Sequence, residues 1–75
     1  MREYTYNVIL EHDPEIDEYA ALVPALPGCW SQGRTLQEAL SNVREAIIGF
    51  LETLQAHGEP VPVEDRVERV KVAVV

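Results

Sequence analysis

The sequence predicts an α+β fold in which a single helix covers one face of an antiparallel sheet, with the element order β-β-β-α-β. Two patterns support this prediction. Apolar and polar residues alternate in several short segments, and apolar residues recur every three or four positions in one longer segment. Prolines and glycines separate these segments. Because 75 residues suffice for only one hydrophobic core, we expect residues 1–75 to form a single domain.

The first half of the chain predicts three strands. The inward side of the first strand is apolar at every second position, namely Tyr4, Tyr6, Val8 and Leu10. Residues 12–18 contain a proline and two aspartates and predict a turn, after which residues 19–23 return to strand composition and complete a hairpin. Pro24 and Pro27 remove backbone donors that a continuous ladder needs. We therefore expect a kinked crossing that leads to a short third strand at residues 29–31.

A single long helix is predicted after the third strand. Thr35 and Glu38 have the spacing of a capping box, so the helix begins at Leu36. Apolar residues then follow at helical spacing as far as His57, and Gly58 is typical of a helix stop. The helix is therefore expected to span residues 36–57.

Residues 70–74 predict a final strand, because valine occupies every second position there. One helix covers only one face of the sheet, so the other face must meet water, a second copy of the chain or another protein. Three apolar residues are expected on that second face, and one more lies away from the apolar stripe of the helix. We predict that these residues support a homo-oligomer, either a dimer or a tetramer: Ile9, Leu22, Trp30 and Ile48. For Ile48, which lies on the polar side of the helix, the alternative is an isolated surface hydrophobe.

The charge balance favours a basic protein partner over nucleic acid. Thirteen acidic and six basic residues give a net charge of −7, which repels a phosphate backbone, so we do not expect this chain to bind nucleic acid by itself. Five acidic residues lie in and around the predicted hairpin turn: Glu11, Asp13, Glu15, Asp17 and Glu18. They are the predicted partner-binding residues. The alternative is that they form a solvated loop that keeps the chain soluble.

No catalytic residue, metal site or cofactor is predicted. Cys29 lies between a glycine and a tryptophan, which offer no base to activate a thiol, so it is expected to be a small buried residue. His12 and His57 lack the spacing of a zinc site. The hairpin carboxylates do not follow the calcium-loop pattern, although a magnesium-dependent nuclease that uses them remains an alternative. The single cysteine and the absence of a signal peptide or an apolar membrane span favour the cytoplasm.

A combined motif between residues 23 and 39 carries a family resemblance. It consists of a proline-leucine-proline-glycine-cysteine run, then serine and glycine, then a threonine that opens a helix with glutamate and alanine. The residues concerned are Pro24, Leu26, Pro27, Gly28, Cys29, Ser31, Gly33, Thr35, Glu38 and Ala39. This motif resembles that of the HicB-like antitoxin family, and the resemblance extends over nearly the whole chain. It implies a partial ribonuclease H-like fold of three strands, a helix and a further strand.

The resemblance also implies a function. Members of the family bind HicA, a small basic ribonuclease that degrades messenger RNA, and block its active site without catalysing a reaction themselves. Because full-length members often carry a C-terminal DNA-binding domain, the chain resembles a short form that is not expected to bind an operator alone. Ala25 and Arg34 stand where the family often has acidic residues. A stand-alone oligomeric module with another ligand is a further alternative.

Overall fold

The computed structural model describes residues 3–64 and 68–75. Within these residues, the elements are β1 (Ile9–Asp13), β2 (Glu18–Leu22), β3 (Trp30–Gly33) and α1 (Leu36–Ala56). The strands form one antiparallel sheet in the order β1-β2-β3, and α1 packs against one face of it. The predicted α+β class is therefore confirmed.

β1 and β2 form a hairpin with a turn at residues 14–17. Ile9 pairs with Leu22 at the open end of the hairpin, and Asp13 pairs with Glu18 next to the turn. Next to the turn, the paired strands are therefore longer than predicted, because residues 12, 13 and 18 were expected in the turn. At the other end, β1 starts at Ile9 rather than at Tyr4. The side chain of Asp13 explains the shorter turn, because its Oδ1 accepts a hydrogen bond of 3.0 Å from the backbone nitrogen of Glu15.

The segment 23–29 between β2 and β3 is a compact loop closed by its own backbone. The backbone nitrogen of Val23 donates to the carbonyl of Cys29, and the nitrogen of Cys29 donates to the carbonyl of Leu26. Gly28 has a φ of +85°, which glycine adopts without strain. The loop turns the Leu26 side chain inward, where it is completely buried. The proline-rich motif thus supplies part of the core.

Gly33 and Thr35 determine how α1 leaves the sheet. A Cβ atom on Gly33 would lie 2.5 Å from the backbone nitrogen of Ala39, so the helix and β3 approach more closely than any other residue permits. Thr35 Oγ1 accepts a hydrogen bond from the backbone nitrogen of Glu38 at 3.0 Å, which confirms the predicted cap. The Glu38 carboxylate reaches back to the backbone nitrogen of Arg34 at 3.2 Å.

The helix ends close to the predicted position, in a Schellman motif. Gly58 has a φ of +66°, its backbone nitrogen donates to the carbonyl of Gln55, and Glu59 donates to the carbonyl of Leu54. The Nδ1 atom of His57 lies 2.8 Å from the carbonyl oxygen of Thr53. This histidine therefore satisfies one of the last carbonyls of the helix, as expected for an imidazole at this end.

The core lies between the covered face of the sheet and α1. It comprises six buried side chains from β2, the following loop and the helix: Ala21, Val23, Leu26, Cys29, Ala39 and Val43. Tyr6, Val8, Ile47 and Phe50 pack around this cluster. Burial raises the pKa of the Cys29 thiol, which fits the prediction that Cys29 is a buried residue rather than an activated nucleophile.

The final strand predicted at residues 70–74 is not formed. Residues 68–75 lie outside the sheet, and Val70, Val72 and Val74 are 80%, 71% and 88% exposed. The alternation of valines indicates that one side of the segment is apolar, but it does not supply a neighbouring strand with which to pair. The sheet formed by the described residues therefore has three strands where the sequence predicted four.

The chain after α1 returns to the N-terminal segment before it reaches these valines. The Tyr6 hydroxyl donates a hydrogen bond of 2.6 Å to the carbonyl of Pro62, and the side-chain amide of Asn7 donates one of 3.0 Å to Glu64. Burial, together with the nearby Tyr4 and Glu64, raises the pKa of the Tyr6 phenol. Tyr6 therefore remains protonated near neutral pH and able to donate this bond.

Candidate partner-binding face

The two faces of the sheet differ in what covers them. Side chains alternate between faces along a strand, and residues paired across strands share a face. Ala21 and Gly33 are buried against α1, which defines the covered face. Leu10, His12, Tyr19 and Ser31 share this face by the same register. The opposite face, here called the open face, carries the residues that alternate with them, which are Ile9, Glu11, Asp13, Glu18, Ala20, Leu22, Trp30 and Gln32.

An apolar row crosses the open face from one strand to the next. Ile9 pairs with Leu22 in the hairpin, and Leu22 pairs in turn with Trp30 of β3. Their side chains are 50%, 37% and 57% exposed, respectively. A row of three adjacent apolar side chains on an uncovered sheet is a surface that favours contact with another protein. The sequence predicted all three as contact residues, and the register brings them together.

The acidic residues lie beside this row, towards the hairpin turn. Glu11 is two positions along β1 from Ile9, which corresponds to roughly 7 Å, and Asp13 is the same distance further on. Glu18 pairs directly with Asp13 and shares its face. The three strands contain no lysine or arginine, and the base that follows them directly is Arg34 after β3, so carboxylates outnumber basic side chains at this end of the open face.

The turn holds the two remaining predicted acids, and it is locally ordered. Asp17 has a φ of +50°, in the left-handed region that aspartate tolerates better than most residues. Its Oδ1 lies 2.8 Å from Nε2 of His12, so this carboxylate is paired with the histidine. The His12 ring also packs on Tyr19, with centroids 4.7 Å apart. Glu15 is exposed at the tip of the turn.

The structure brings together six of the nine contact residues that the sequence predicted, because Glu11, Asp13 and Glu18 share the open face with the three residues of the apolar row. Glu15 and Asp17 lie in the adjoining turn, and the Asp17 carboxylate is paired with His12, whose side chain belongs to the covered face. Ile48 is separate. It is 45% exposed, as expected, but it lies on α1 and lines a cleft on the other side of the molecule. The sequence predicted partner binding for the acidic residues and self-association for the apolar residues. It gave no indication that Glu11, Asp13 and Glu18 share a face with the apolar row.

The described residues offer no competing site for metal chemistry. Within residues 3–64 and 68–75, no group of three or more histidine, cysteine, aspartate or glutamate side chains is arranged to hold a metal ion. In the same part of the chain, no helix combines the length and apolar character that crossing a membrane requires. The open face is the candidate functional site because an exposed apolar row and carboxylates lie together on it.

The amino-acid sequence matches the model of a known protein family. The family model for the HicB-like antitoxin of bacterial toxin-antitoxin systems matches residues 6–74. The chain belongs to the HicB-like antitoxin family. The match includes all three strands, so the open face of this HicB-like protein lies wholly within the family domain.

Individual relatives agree with this assignment. A UPF0150 protein of Thermoplasma acidophilum is 46% identical over 67 residues, which cover 89% of this chain and 94% of the relative. Another from Synechocystis is 49% identical over 63 residues, covering 83% and 77%. The fold is similar to the crystal structure of the N-terminal domain of the antitoxin HicB from Burkholderia pseudomallei. The TM-score is 0.70 at 37% identity, over 80% of this chain and 69% of that one.

Proposed function

We propose that this HicB-like protein is a non-enzymatic antitoxin that binds a small basic mRNA ribonuclease of the HicA type and blocks its active site. The observation that carries the proposal is the combination of an acidic surface and an apolar row on one uncovered sheet face. An enzyme that cleaves RNA must attract a phosphate backbone with basic residues. A rigid array of carboxylates competes for the same positive potential.

The two parts of the open face have different roles in this proposal. Trp30 is a large exposed aromatic residue at one end of the apolar row, which is the type of side chain that contributes most to protein interfaces. Glu11, Asp13 and Glu18 provide long-range attraction and orient the toxin. The apolar row therefore determines how long the complex lasts, and the acidic residues determine how quickly it forms.

The proposal also covers nucleic-acid binding, cofactors, location and self-association. With a net charge of −7, the chain is not expected to bind nucleic acid unaided, and inhibition needs no cofactor. We place its action in the cytoplasm, where a toxin that degrades messenger RNA meets its substrate. A homo-oligomer leaves the open face accessible only if the copies associate elsewhere on the molecule.

Removing the acidic charges is expected to slow formation of the complex. We predict that the triple variant Glu11→Gln, Asp13→Asn, Glu18→Gln associates with a HicA-type toxin about tenfold more slowly or worse at low salt. Its association rate should also depend less on ionic strength. The measurement is surface plasmon resonance with a purified HicA-type toxin. Asp13→Asn keeps the Oδ1 acceptor that closes the turn.

A matched control separates local from overall charge. The variant Glu45→Gln, Glu52→Gln, Glu59→Gln neutralises the same number of carboxylates at exposed positions in and after α1. It should change the association rate by less than about threefold, because these residues lie outside the open face. Equal slowing by both triple variants would contradict the assignment of the acidic residues. Magnesium-dependent RNA cleavage by the purified chain would contradict a non-enzymatic role.

Truncating the aromatic residue should act on a different rate constant. We predict that Trp30→Ala accelerates dissociation of the toxin at least tenfold and leaves the association rate within about threefold. Trp30 is 57% exposed, so the fold should tolerate the change. Co-expression provides the cellular measurement, because Trp30→Ala should rescue growth less well than the unaltered chain. Full rescue together with an unchanged dissociation rate would show that the apolar row does not contact the toxin.

A further inference from the structure

A cleft between the N-terminal segment 4–8 and α1 is separate from the open face. It measures about 540 Å³, within the range of about 300–1,000 Å³ that is typical of small-molecule sites. The helix packs against β2 and β3, so the part of its apolar side that lines the cleft is only partly covered. Leu40 and Ile48 belong to this lining and are 38% and 45% exposed. The cleft is therefore a second accessible apolar surface of the molecule.

One wall of the cleft is formed by residues that precede β1. The rings of Tyr4 and Tyr6 are stacked, with their planes 13° apart and their centroids separated by 6.4 Å. Aromatic rings in this arrangement present an apolar surface against which a further flat ring can pack. The Tyr6 hydroxyl is bonded to the Pro62 carbonyl, whereas the Tyr4 hydroxyl bonds to no other residue in the part of the chain that the structure describes. This wall thus offers aromatic surface and one free hydroxyl.

The opposite wall contains a cation among apolar side chains. Arg44 is the only charged residue among the described residues that line the cleft. No carboxylate lies at the helical spacing at which ion pairs form, because the residues three and four positions away are Leu40, Ser41, Ile47 and Ile48. Across residues 3–64 and 68–75, the Arg44 guanidinium forms no salt bridge or hydrogen bond. It is therefore available to an anion that enters the cleft.

We propose that the cleft binds a small aromatic carboxylate, with its ring against the two stacked tyrosines and its carboxylate on Arg44. A planar guanidinium matches a carboxylate through two parallel hydrogen bonds. Charge also sets the orientation of the ligand. A smaller hollow of about 350 Å³ shares residues 4–6 with the cleft, and its charged lining residues are Glu3 and Glu64. These carboxylates repel the acidic end of the ligand, which therefore lies at Arg44.

A small molecule suits this cleft better than a segment of protein. A partner strand would need free backbone groups beside the cleft. The backbone nitrogen of Asn7 already donates to the Glu64 carboxylate, and the nearby Tyr6 hydroxyl is bonded to Pro62. The cleft also contains a single charge, which one carboxylate neutralises. The ligand class is therefore one carboxylate on an apolar ring system, and its binding requires no toxin.

Titration with 2-naphthoate and its neutral analogue 2-naphthamide tests the role of charge. NMR spectra of the isotope-labelled full chain should show shifts of the backbone amides in residues 4–8 and 40–51, and none at Trp30. We expect 2-naphthoate to bind with a dissociation constant below about 1 mM, and 2-naphthamide at least about tenfold more weakly. Shifts centred on the open face, or no shifts in the two segments, would overturn the proposal. A cleft filled by a second copy or by another segment of the chain would give the latter result.

Two arginine variants locate the carboxylate of the ligand. Arg44→Gln should weaken binding of 2-naphthoate at least about tenfold and change binding of 2-naphthamide less than about threefold. Arg34→Gln is the matched control, because Arg34 is exposed and does not line the cleft. It should change binding of 2-naphthoate less than about threefold. Circular dichroism should show that both variants retain the helix. Equal weakening by the two variants, or unchanged affinity of Arg44→Gln, would overturn the proposal.

Discussion

Replacing Gly33 with alanine is expected to destabilise the domain by about 3 kcal/mol. The new Cβ atom would lie 2.5 Å from the backbone nitrogen of Ala39 and 2.8 Å from the carbonyl carbon of Glu38. Both atoms belong to the backbone of the first turn of α1, so no side-chain rotation relieves the contact. The helix must move away from β3, which opens the core next to the fully buried Ala39.

The loss should be visible as a fall in melting temperature of about 12 °C or more, because 1 kcal/mol corresponds to roughly 4–8 °C for a domain of this size. Protein concentration must be held constant, since self-association adds to apparent stability. Gly49→Ala is the matched control. That glycine lies within α1, and a Cβ there meets no atom within 4 Å. It should stabilise the helix by about 0.5–1 kcal/mol. A similar loss in both variants would contradict the packing explanation.

Leu26→Ala is expected to cost about 3–5 kcal/mol, which is a large part of the stability of a 75-residue domain. Leu26 is completely buried although it lies in a loop, because the backbone bonds between Val23 and Cys29 hold the loop in place. Truncation leaves a cavity beneath that loop. Since the loop is closed by its own hydrogen bonds, it cannot collapse fully into the space. Urea denaturation followed by circular dichroism measures the change in the free energy of unfolding.

Leu36→Ala provides the comparison for Leu26→Ala. It is the same substitution at the first residue of α1, where the side chain is 44% exposed. Leucine and alanine both have high helix propensity, so the expected loss is below about 1 kcal/mol. If Leu26→Ala proved as mild as Leu36→Ala, the proline-rich loop would not be part of the core. Its residues would then have to be explained by contact with a partner.

These two predictions illustrate which parts of the family motif are structural. Leu26, Gly28 and Cys29 build the loop, Gly33 permits close packing, and Thr35 caps the helix. The motif made the family recognisable in the sequence, but its residues largely stabilise the fold. The residues proposed to contact a toxin lie outside most of this motif, in the hairpin and at Trp30. Recognition of the family and prediction of its contact surface therefore rest on different residues.

The sequence by itself determined the features that depend on neighbouring residues. The helix start follows from the threonine cap, and the helix end follows from Gly58 in its left-handed conformation. Alternation in the first strand, strand composition in the second and the proline-rich crossing before the third predicted three strands with Ile9, Leu22 and Trp30 on the uncovered face. In the structure β1 begins at Ile9 rather than Tyr4, and β3 covers Trp30–Gly33 rather than residues 29–31. Such features can be predicted because caps, turns and periodicity act over a few residues along the chain.

Only the tertiary structure decided how distant segments meet. The register between β1 and β2 placed Glu18 beside Asp13, and so joined the acidic residues to the apolar row on one surface. Alternation predicted a strand at residues 70–74, but these valines lie outside the sheet and are 71–88% exposed. A side-chain pattern indicates which side of a segment is apolar. What covers that side depends on contacts between residues far apart in the chain or in another molecule.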